Sequence, residues 1–136
     1  MTRESEIARD VWATMRDLVV NNERKHQVSD ETGLSFGKTK ALRRIAQRPL
    51  SMGELATLLG MDPPNVTTLV DDLERAGLVR REPHDTDRRV LLVLVTPTGA
   101  RVARRTEAIL STPPAGLSQL PATDLEHLQR ILQHLT

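Results

Sequence analysis

The sequence predicts a mainly α-helical protein that carries one small β-hairpin. Most segments place apolar residues at helical spacing, and residues 51–54 form the capping pattern that opens many helices. Two β-prone runs, at 78–81 and 90–95, flank a loop that contains one proline and two aspartates. The chain has 136 residues, 38% of them hydrophobic and 27% charged, so we expect a single globular domain spanning 1–136.

Two helices are predicted at the amino-terminal end. The first covers residues 2–26, where apolar side chains recur at intervals of three and four, and residues 29–33 break it. The second starts after Ser35, whose hydroxyl can cap it, and ends at Pro49, which cannot continue a helix.

A short helix of about two turns is predicted to follow. Ser51 and Glu54 form a capping box, in which a hydroxyl and a carboxylate three residues apart satisfy two amides at the helix start. Gly60 ends this helix and leaves a tight turn before the next one.

The next helix is predicted to begin at Asp62 and to close at Gly77. The Asp62 carboxylate is expected to accept from first-turn amides, and Pro63 loses no hydrogen bond at the first helical position. The helix carries one clean apolar stripe, formed by Val66, Leu69, Val70 and Leu73.

The carboxy-terminal part is predicted as a long hairpin followed by two helices. The hairpin loop covers residues 82–89. One helix starts at Thr96 and runs to a break at 111–114, and the last opens at Pro121 or Thr123. Its apolar residues are Leu125, Leu128, Leu132 and Leu135. Two helices joined by a tight turn and followed by a two-stranded wing make a winged helix-turn-helix.

Several functional classes are disfavoured by what the sequence lacks. Without cysteine there are no disulfides, thiolate metal sites or thiol nucleophiles. No nucleophile motif, glycine-rich phosphate loop or metal-ligand spacing is present, so we expect neither an enzyme nor a bound cofactor or metal. No apolar run approaches bilayer length, and residues 1–10 lack a signal-like apolar core, so we expect a cytoplasmic protein without membrane association.

Charge is unevenly distributed although the net charge is only +1. Residues 33–104 hold 12 Lys and Arg against 8 Asp and Glu, whereas both ends of the chain are mildly acidic. A basic middle indicates an anionic partner for this part of the chain. A preference for Arg over Lys is also typical of codon bias in GC-rich genomes, which is the alternative interpretation.

Residues 52–100, MGELATLLGMDPPNVTTLVDDLERAGLVRREPHDTDRRVLLVLVTPTGA, resemble the MarR family of bacterial transcription regulators. The resemblance lies in a short "eLA" helix, a "vT-lv--Le--GlV-R" helix, a wing with Asp-x-Arg and a closing "LT--G". It implies a homodimer that binds a pseudo-palindrome in successive major grooves of double-stranded DNA, with the wings over flanking minor grooves. It also implies dimerisation helices at 2–28 and 97–136 around a winged helix-turn-helix at 33–96, with the helix-turn-helix at about 51–76 and the wing at about 78–95.

The helix after the tight turn is the predicted recognition helix. If its apolar stripe faces the core, then Pro64, Asn65, Thr67 and Thr68 face outward in the half that reaches base edges. Asn65 can donate to and accept from an adenine edge, and threonine offers a hydroxyl and a methyl group. Alternatively, these are simply favourable first-turn residues.

Two carboxylates also face outward from this helix. Asp71 and Asp72 are unfavourable near DNA unless they are paired, and Asp71 is expected to pair with Arg75 at i+4. Many MarR relatives place an arginine near Thr68 or Asp72, and this chain does not. We therefore expect base readout through hydroxyl, amide and methyl contacts.

The wing is the second predicted contact. Arg88 and Arg89, with Arg80 and Arg81 on the opposite strand, form a cluster of four guanidinium groups that suits a narrow minor groove. In the family's Asp-x-Arg pattern, matched by Asp87 and Arg89, the arginine enters the groove and the aspartate directs it. Residues two apart on a strand share a face, which allows this pair. Alternatively, the pair is an ordinary surface ion pair on a solvated turn.

Two further residue sets complete the predicted site. Phosphate contacts are expected from basic side chains and from the start of a helix. The residues are Lys38, Lys40, Arg43, Ser51 and Arg80. Alternatively, the basic residues simply form a solvated helix face. The outer apolar stripes are expected to bury against a second copy, unless they form a helical cap within one chain. The dimerisation residues are Ile7, Val11, Met15, Ile109, Leu128, Leu132 and Leu135.

The sequence thus predicts a homodimeric DNA-binding regulator, and a repressor rather than an activator because a dimer across a promoter blocks polymerase. In the family, a small, often aromatic anion relieves binding, but one Trp, one Phe and no Tyr equip an aromatic pocket poorly. Two alternatives stay open. A protein–protein module predicts that Arg89→Ala leaves DNA affinity unchanged. A ligand-binding dimer without DNA function predicts tight ligand binding and no salt-sensitive DNA binding.

Overall fold

A computed structural model describes residues 2–136 and confirms the mainly helical architecture with a small antiparallel sheet. The chain divides into two compact units, one of them Arg24–Ser111 and the other formed by both chain ends, through Glu23 and from Thr112. In chain order the elements are α1 (Arg3–Asn21), α2 (Lys25–Thr32), α3 (Phe36–Gln47), β1 (Leu50–Ser51), α4 (Met52–Leu59), α5 (Pro63–Arg75), β2 (Val79–Pro83), β3 (Leu91–Val95), α6 (Pro97–Leu110), α7 (Ala115–Ser118) and α8 (Ala122–Gln133).

The sheet has three antiparallel strands in the order β1-β3-β2, where the sequence predicted only the β2–β3 hairpin. In the hairpin Val79 lies opposite Val95. The additional strand β1 places Leu50 opposite Val93. A strand of two residues is too short to show alternation, so periodicity could not reveal it.

The core of the Arg24–Ser111 unit lies where α3, α4 and α5 pack against this sheet. On α5 three members of the predicted stripe are buried, namely Val66, Val70 and Leu73, and Leu69 is partly buried against them. Because this face is fixed in the core, the opposite face of α5 is turned to solvent.

The predicted side-chain caps at Ser35 and Ser51 are confirmed, and Thr96 caps the helix that was predicted to start there. Ser35, Ser51 and Thr96 each accept a hydrogen bond from a first-turn amide. The prediction for Asp62 was wrong, because its carboxylate makes no capping bond and its carbonyl accepts from Asn65 N instead. Prolines at the first two helical positions carry no amide hydrogen, so few donors remain for that carboxylate.

The amino-terminal helix is shorter than predicted. It ends at Asn21, and the Asn22 side chain donates to the Leu18 carbonyl at 2.8 Å, satisfying one acceptor at the helix end. Residues 25 and 26, predicted as the end of this helix, instead begin α2, and the predicted break at 29–33 falls mostly inside that second helix. Gly33 ends α2 with φ of 72°, which glycine adopts without strain.

The unit formed by the chain ends contains α1, α7 and α8. Sequence periodicity missed α7 because one helical turn shows no repeat. No residue of α1 or α8 is buried in the described chain, although both helices are amphipathic. None of the helices within residues 2–136 is long and apolar enough to cross a membrane.

Candidate nucleic-acid interface

The exposed surface of α5 begins directly after the tight turn that follows α4. Gly60 makes this turn with φ of 62°, a conformation suited to glycine. The side chains that lie outward on the first two turns of α5 are Pro64, Asn65, Thr67 and Thr68, and all four residues are exposed. We call these four residues the reading surface.

The hydroxyl groups of the reading surface have defined partners. Thr67 Oγ1 donates to the Pro63 carbonyl and Thr68 Oγ1 donates to the Pro64 carbonyl, each at 3.1 Å. A threonine hydroxyl has one proton, which this hydrogen bond uses, and two lone pairs. Towards solvent each side chain therefore offers a hydrogen-bond acceptor and a methyl group.

The two carboxylates on the outer face of α5 are paired, but not as predicted. Asp71 pairs with Arg81 of β2, whose Nη2 lies 2.6 Å from Oδ1, and not with Arg75. Asp72 pairs with Arg75 and with Lys38 of α3, the latter at 3.4 Å. Arg75 reaches Asp72, three residues before it, and therefore does not form the expected i+4 pair with Asp71. Negative charge near the reading surface is thereby neutralised.

Arg81 lies in a different environment from the one that the sequence predicted. The sequence predicted Arg81 in the exposed arginine cluster of the wing. Instead its side chain is only 20% exposed, and besides pairing with Asp71 it donates from Nη1 to Glu74 Oε1 at 3.1 Å. It therefore ties β2 to two carboxylates on α5. The available signal was strand alternation, which directs consecutive Arg80 and Arg81 to opposite faces.

The wing tip contains the predicted Asp-x-Arg pair. Arg89 Nε donates to Asp87 Oδ1 at 3.1 Å, and the Arg89 amide donates to the same oxygen at 3.2 Å. These hydrogen bonds hold the pKa of Asp87 below its ordinary value. The pair lies within the predicted loop, in the turn closed by Val90 N and the Asp87 carbonyl, so an aspartate turn rather than a shared strand face joins it.

The remaining wing arginines are solvent-exposed. Arg88 follows Asp87 in the turn, and the Arg89 side chain is 93% exposed. Arg80 lies on β2 and pairs with Glu82 of the same strand. The wing tip therefore presents Arg88 and Arg89 to solvent, with Arg80 farther along the strand.

The basic residues of α3 point in different directions. Arg43, an expected phosphate contact, pairs through Nη2 with Glu107 Oε2 of α6 at 2.6 Å. This guanidinium and the Ser111 hydroxyl hold the pKa of Glu107 below its ordinary value. Lys40 is exposed, whereas Lys38 contacts Asp72 as described.

Ser51, also expected near phosphate, serves first as a helix cap. Its Oγ accepts from Glu54 N, and Glu54 Oε1 accepts from Ser51 N, both at 3.1 Å. The Ser51 amide, then Arg48, lower the pKa of Glu54. A carboxylate thus already lies at the start of α4.

The expected dimerisation residues are in different environments. Ile7, Val11, Leu132 and Leu135 are exposed by 37–71%, whereas Met15 and Leu128 are half-buried. Ile109 is only 3% exposed within the single chain, so it has little surface left for a second copy.

Comparison with known proteins gives consistent results. A profile described as MarR family matches residues 32–90. The HTH-type transcriptional repressor Rv2887 of Mycobacterium tuberculosis is 32% identical over 105 residues, which cover 76% of each chain.

Solved structures agree in fold. A MarR family protein from Bacillus stearothermophilus has a TM-score of 0.81 at 21% identity, covering 99% of this chain and 96% of that one. RV1404 from Mycobacterium tuberculosis has a TM-score of 0.75 at 27% identity, covering 100% and 94%. The MepR–DNA complex from S. aureus has a TM-score of 0.60 at 19% identity, covering 96% and 99%.

Proposed function

The chain belongs to the MarR family of transcriptional regulators, and from this premise we propose that it is a repressor that binds a pseudo-palindromic operator as a homodimer. The observation that carries the proposal is the reading surface on α5. Its side chains are exposed while the opposite helix face is buried, as required of a helix that enters a major groove.

The wing completes the proposed contact. Arg89, held by Asp87, extends from the tip and suits insertion into a minor groove, where negative potential is highest. Arg88, Arg80 and Lys40 are exposed and supply phosphate contacts in this proposal. Lys38 and Arg43 are paired with carboxylates and are less exposed than Arg80, which pairs with Glu82 of its own strand, so their share is smaller.

The proposed homodimer follows from the unit formed by the chain ends. Large apolar side chains of α1 and α8 remain exposed, including Ile7, Val11, Trp12 and Ile131. Contact between copies would remove this surface from water, as in obligate dimers. We place the repressor in the cytoplasm, where its DNA lies.

A concavity on α3 is the proposed effector site. On α3, Phe36 and the cations Lys40, Arg43 and Arg44 line a concavity of about 360 Å³. An aromatic ring beside cationic side chains fits a small aromatic anion. We expect an aromatic carboxylate to release operator DNA from the wild type but not from Arg44→Ala. Undiminished DNA binding by the wild type at saturating carboxylate would contradict this effector site.

Fluorescence anisotropy tests the proposed function directly. The protein is titrated into its own upstream intergenic duplex and into a scrambled duplex across a salt series. The expected result is specific binding ~10³-fold tighter or more, with a steep salt dependence. Tight ligand binding without salt-sensitive DNA binding would instead support a dimer that lacks DNA function.

A further inference from the structure

We propose that the reading surface selects A·T base pairs, and that Thr67 and Thr68 recognise thymine through its 5-methyl group. The inference rests on the proposed function, because it names the bases that a DNA-binding α5 would accept. It is carried by the hydrogen bonds of the two threonines and by the position of charge along the helix.

The threonines face outward as acceptors beside methyl groups. Each donates its only hydroxyl proton to the carbonyl four residues earlier, at 3.1 Å. Guanine presents two acceptors, N7 and O6, in the major groove, and such hydroxyls have no proton left for them. A thymine methyl can pack against the threonine methyl, and adenine N6 can donate to the hydroxyl oxygen.

Asn65 supplies the one amide of the reading surface. Its side chain is exposed, and its amide has both a donor and an acceptor. Adenine offers the matching pair, an N7 acceptor beside an N6 donor. Pro64 adds only an apolar ring, so the whole surface fits adenine and thymine edges.

The cations nearest this surface are either far along α5 or already paired with a carboxylate. The only basic residue of α5 is Arg75, its last residue, which lies about 15 Å along the axis from Asn65. Arg75 is paired with Asp72, as is Lys38 from the neighbouring helix. The carboxylates that could accept from cytosine are likewise occupied, Asp71 by Arg81. Cytosine N4 can also donate to a threonine oxygen, but cytosine has no methyl group to pack against the threonine methyl, so thymine is favoured.

The wing also favours A·T base pairs, through the minor groove. Arg89 extends from the tip towards solvent, and a narrow minor groove that attracts arginine is typical of A·T tracts. Major-groove and minor-groove contacts would therefore both favour A·T sequence.

The test begins with selection of binding sites from random duplexes by the full chain. Each thymine of the selected half-site is then replaced by uracil, which removes only the methyl group. Binding of the wild type is expected to weaken about fourfold for each contacted methyl. Thr67→Ser and Thr68→Ser keep the hydroxyl, and one of them should bind thymine and uracil duplexes with equal affinity.

Two controls separate the methyl contact from loss of helix stability. Thr67→Val and Thr68→Val keep a methyl group and should retain the sensitivity to uracil. Thr57→Ser alters a threonine on α4 that donates in the same way, to Gly53 at 3.1 Å, and should also retain it. Circular dichroism establishes that each variant is folded.

The outcomes distinguish this inference from the proposed function. Selected half-sites rich in A·T pairs, with uracil sensitivity lost in a serine variant, support it. Selected half-sites with G·C pairs at their centre, or uracil duplexes bound as tightly as thymine duplexes, overturn the inference and leave a DNA-binding protein. Failure to select any sequence overturns both.

Discussion

At the scale of single residues, Arg89 is a proposed contact whose side chain is 93% exposed. Arg89→Ala is expected to weaken binding to both duplexes, more strongly to an operator with A·T-rich flanks than to a scrambled duplex, and to reduce the salt slope by about one, because one cation leaves the minor groove. Anisotropy titrations across salt measure both effects. Arg16→Ala, on exposed α1, is the matched control and should change neither. Unchanged DNA affinity in Arg89→Ala would favour a protein–protein module.

Glu54 gives a pH-dependent prediction at the same scale. Its pKa lies below the ordinary value of 4.5, because the Ser51 amide and then Arg48 favour the charged form. A depressed folded-state pKa stabilises the protein above the unfolded value, and this contribution is lost as pH falls through the folded value. Glu54→Gln should therefore lower the urea midpoint at neutral pH, with the difference shrinking below pH 4.5.

Urea titrations at about pH 7 and about pH 3 measure this difference. Asp85→Asn removes a carboxylate from the exposed wing loop and is the control, since we expect it to leave the urea midpoint unchanged. An equal difference between wild type and Glu54→Gln at both pH values would contradict the capping role of the charge.

At the scale of elements, Arg81 connects β2 to α5. Arg81→Ala frees Asp71 and Glu74 on α5, and the exposed negative charge should repel phosphate and weaken operator binding. Stability should fall by roughly 1 kcal/mol, since the ion pairs are only partly buried. Anisotropy and urea unfolding measure the two effects.

Rescue distinguishes this positioning role from direct contact with DNA. Asp71→Asn combined with Arg81→Ala should restore part of the lost affinity, because one of the freed charges is gone. Arg80→Ala, the exposed neighbour, should reduce the salt slope and show no such rescue. An Arg81→Ala defect that Asp71→Asn leaves unchanged would indicate that Arg81 itself contacts DNA.

Elements with a local chemical signal were predictable from the sequence. The capping box at Ser51, the glycine end at Gly60 and the buried face of α5 each depend on residues close in the chain. The strand β1 and the helix α7 were not predictable, since neither is long enough to show a period.

The candidate site was predictable in its exposed residues but not in its ion pairs. Burial of one face of α5 fixes which side chains lie outward, so Asn65 and Thr68 followed from spacing. Arg81, the partner of Asp71, lies ten residues farther along the chain on β2. The contact between them depends on how β2 packs against α5, which sequence spacing does not show. Sequence spacing favoured Arg75, which pairs with Asp72 instead.

At the scale of the whole molecule, the exposed apolar faces of α1 and α8 predict assembly. Leu132→Glu places a charge on α8 among apolar side chains, and it should convert a dimer into a monomer in sedimentation experiments. Operator affinity should then fall by at least tenfold, since a monomer reaches one half-site only. Leu91→Glu alters a similarly exposed leucine on the wing strand and should leave the dimer intact. A Leu132→Glu protein that remains dimeric would place the interface elsewhere.

Hydroxyl-radical footprinting on a selected operator tests the central claim most directly, namely that paired α5 helices read successive major grooves while the wings enter the flanking minor grooves. We expect two protected half-sites whose centres lie about 10 base pairs apart. Protection of the flanking minor grooves should disappear in Arg89→Ala. A single protected half-site, or uniform weak protection along the duplex, would contradict the account.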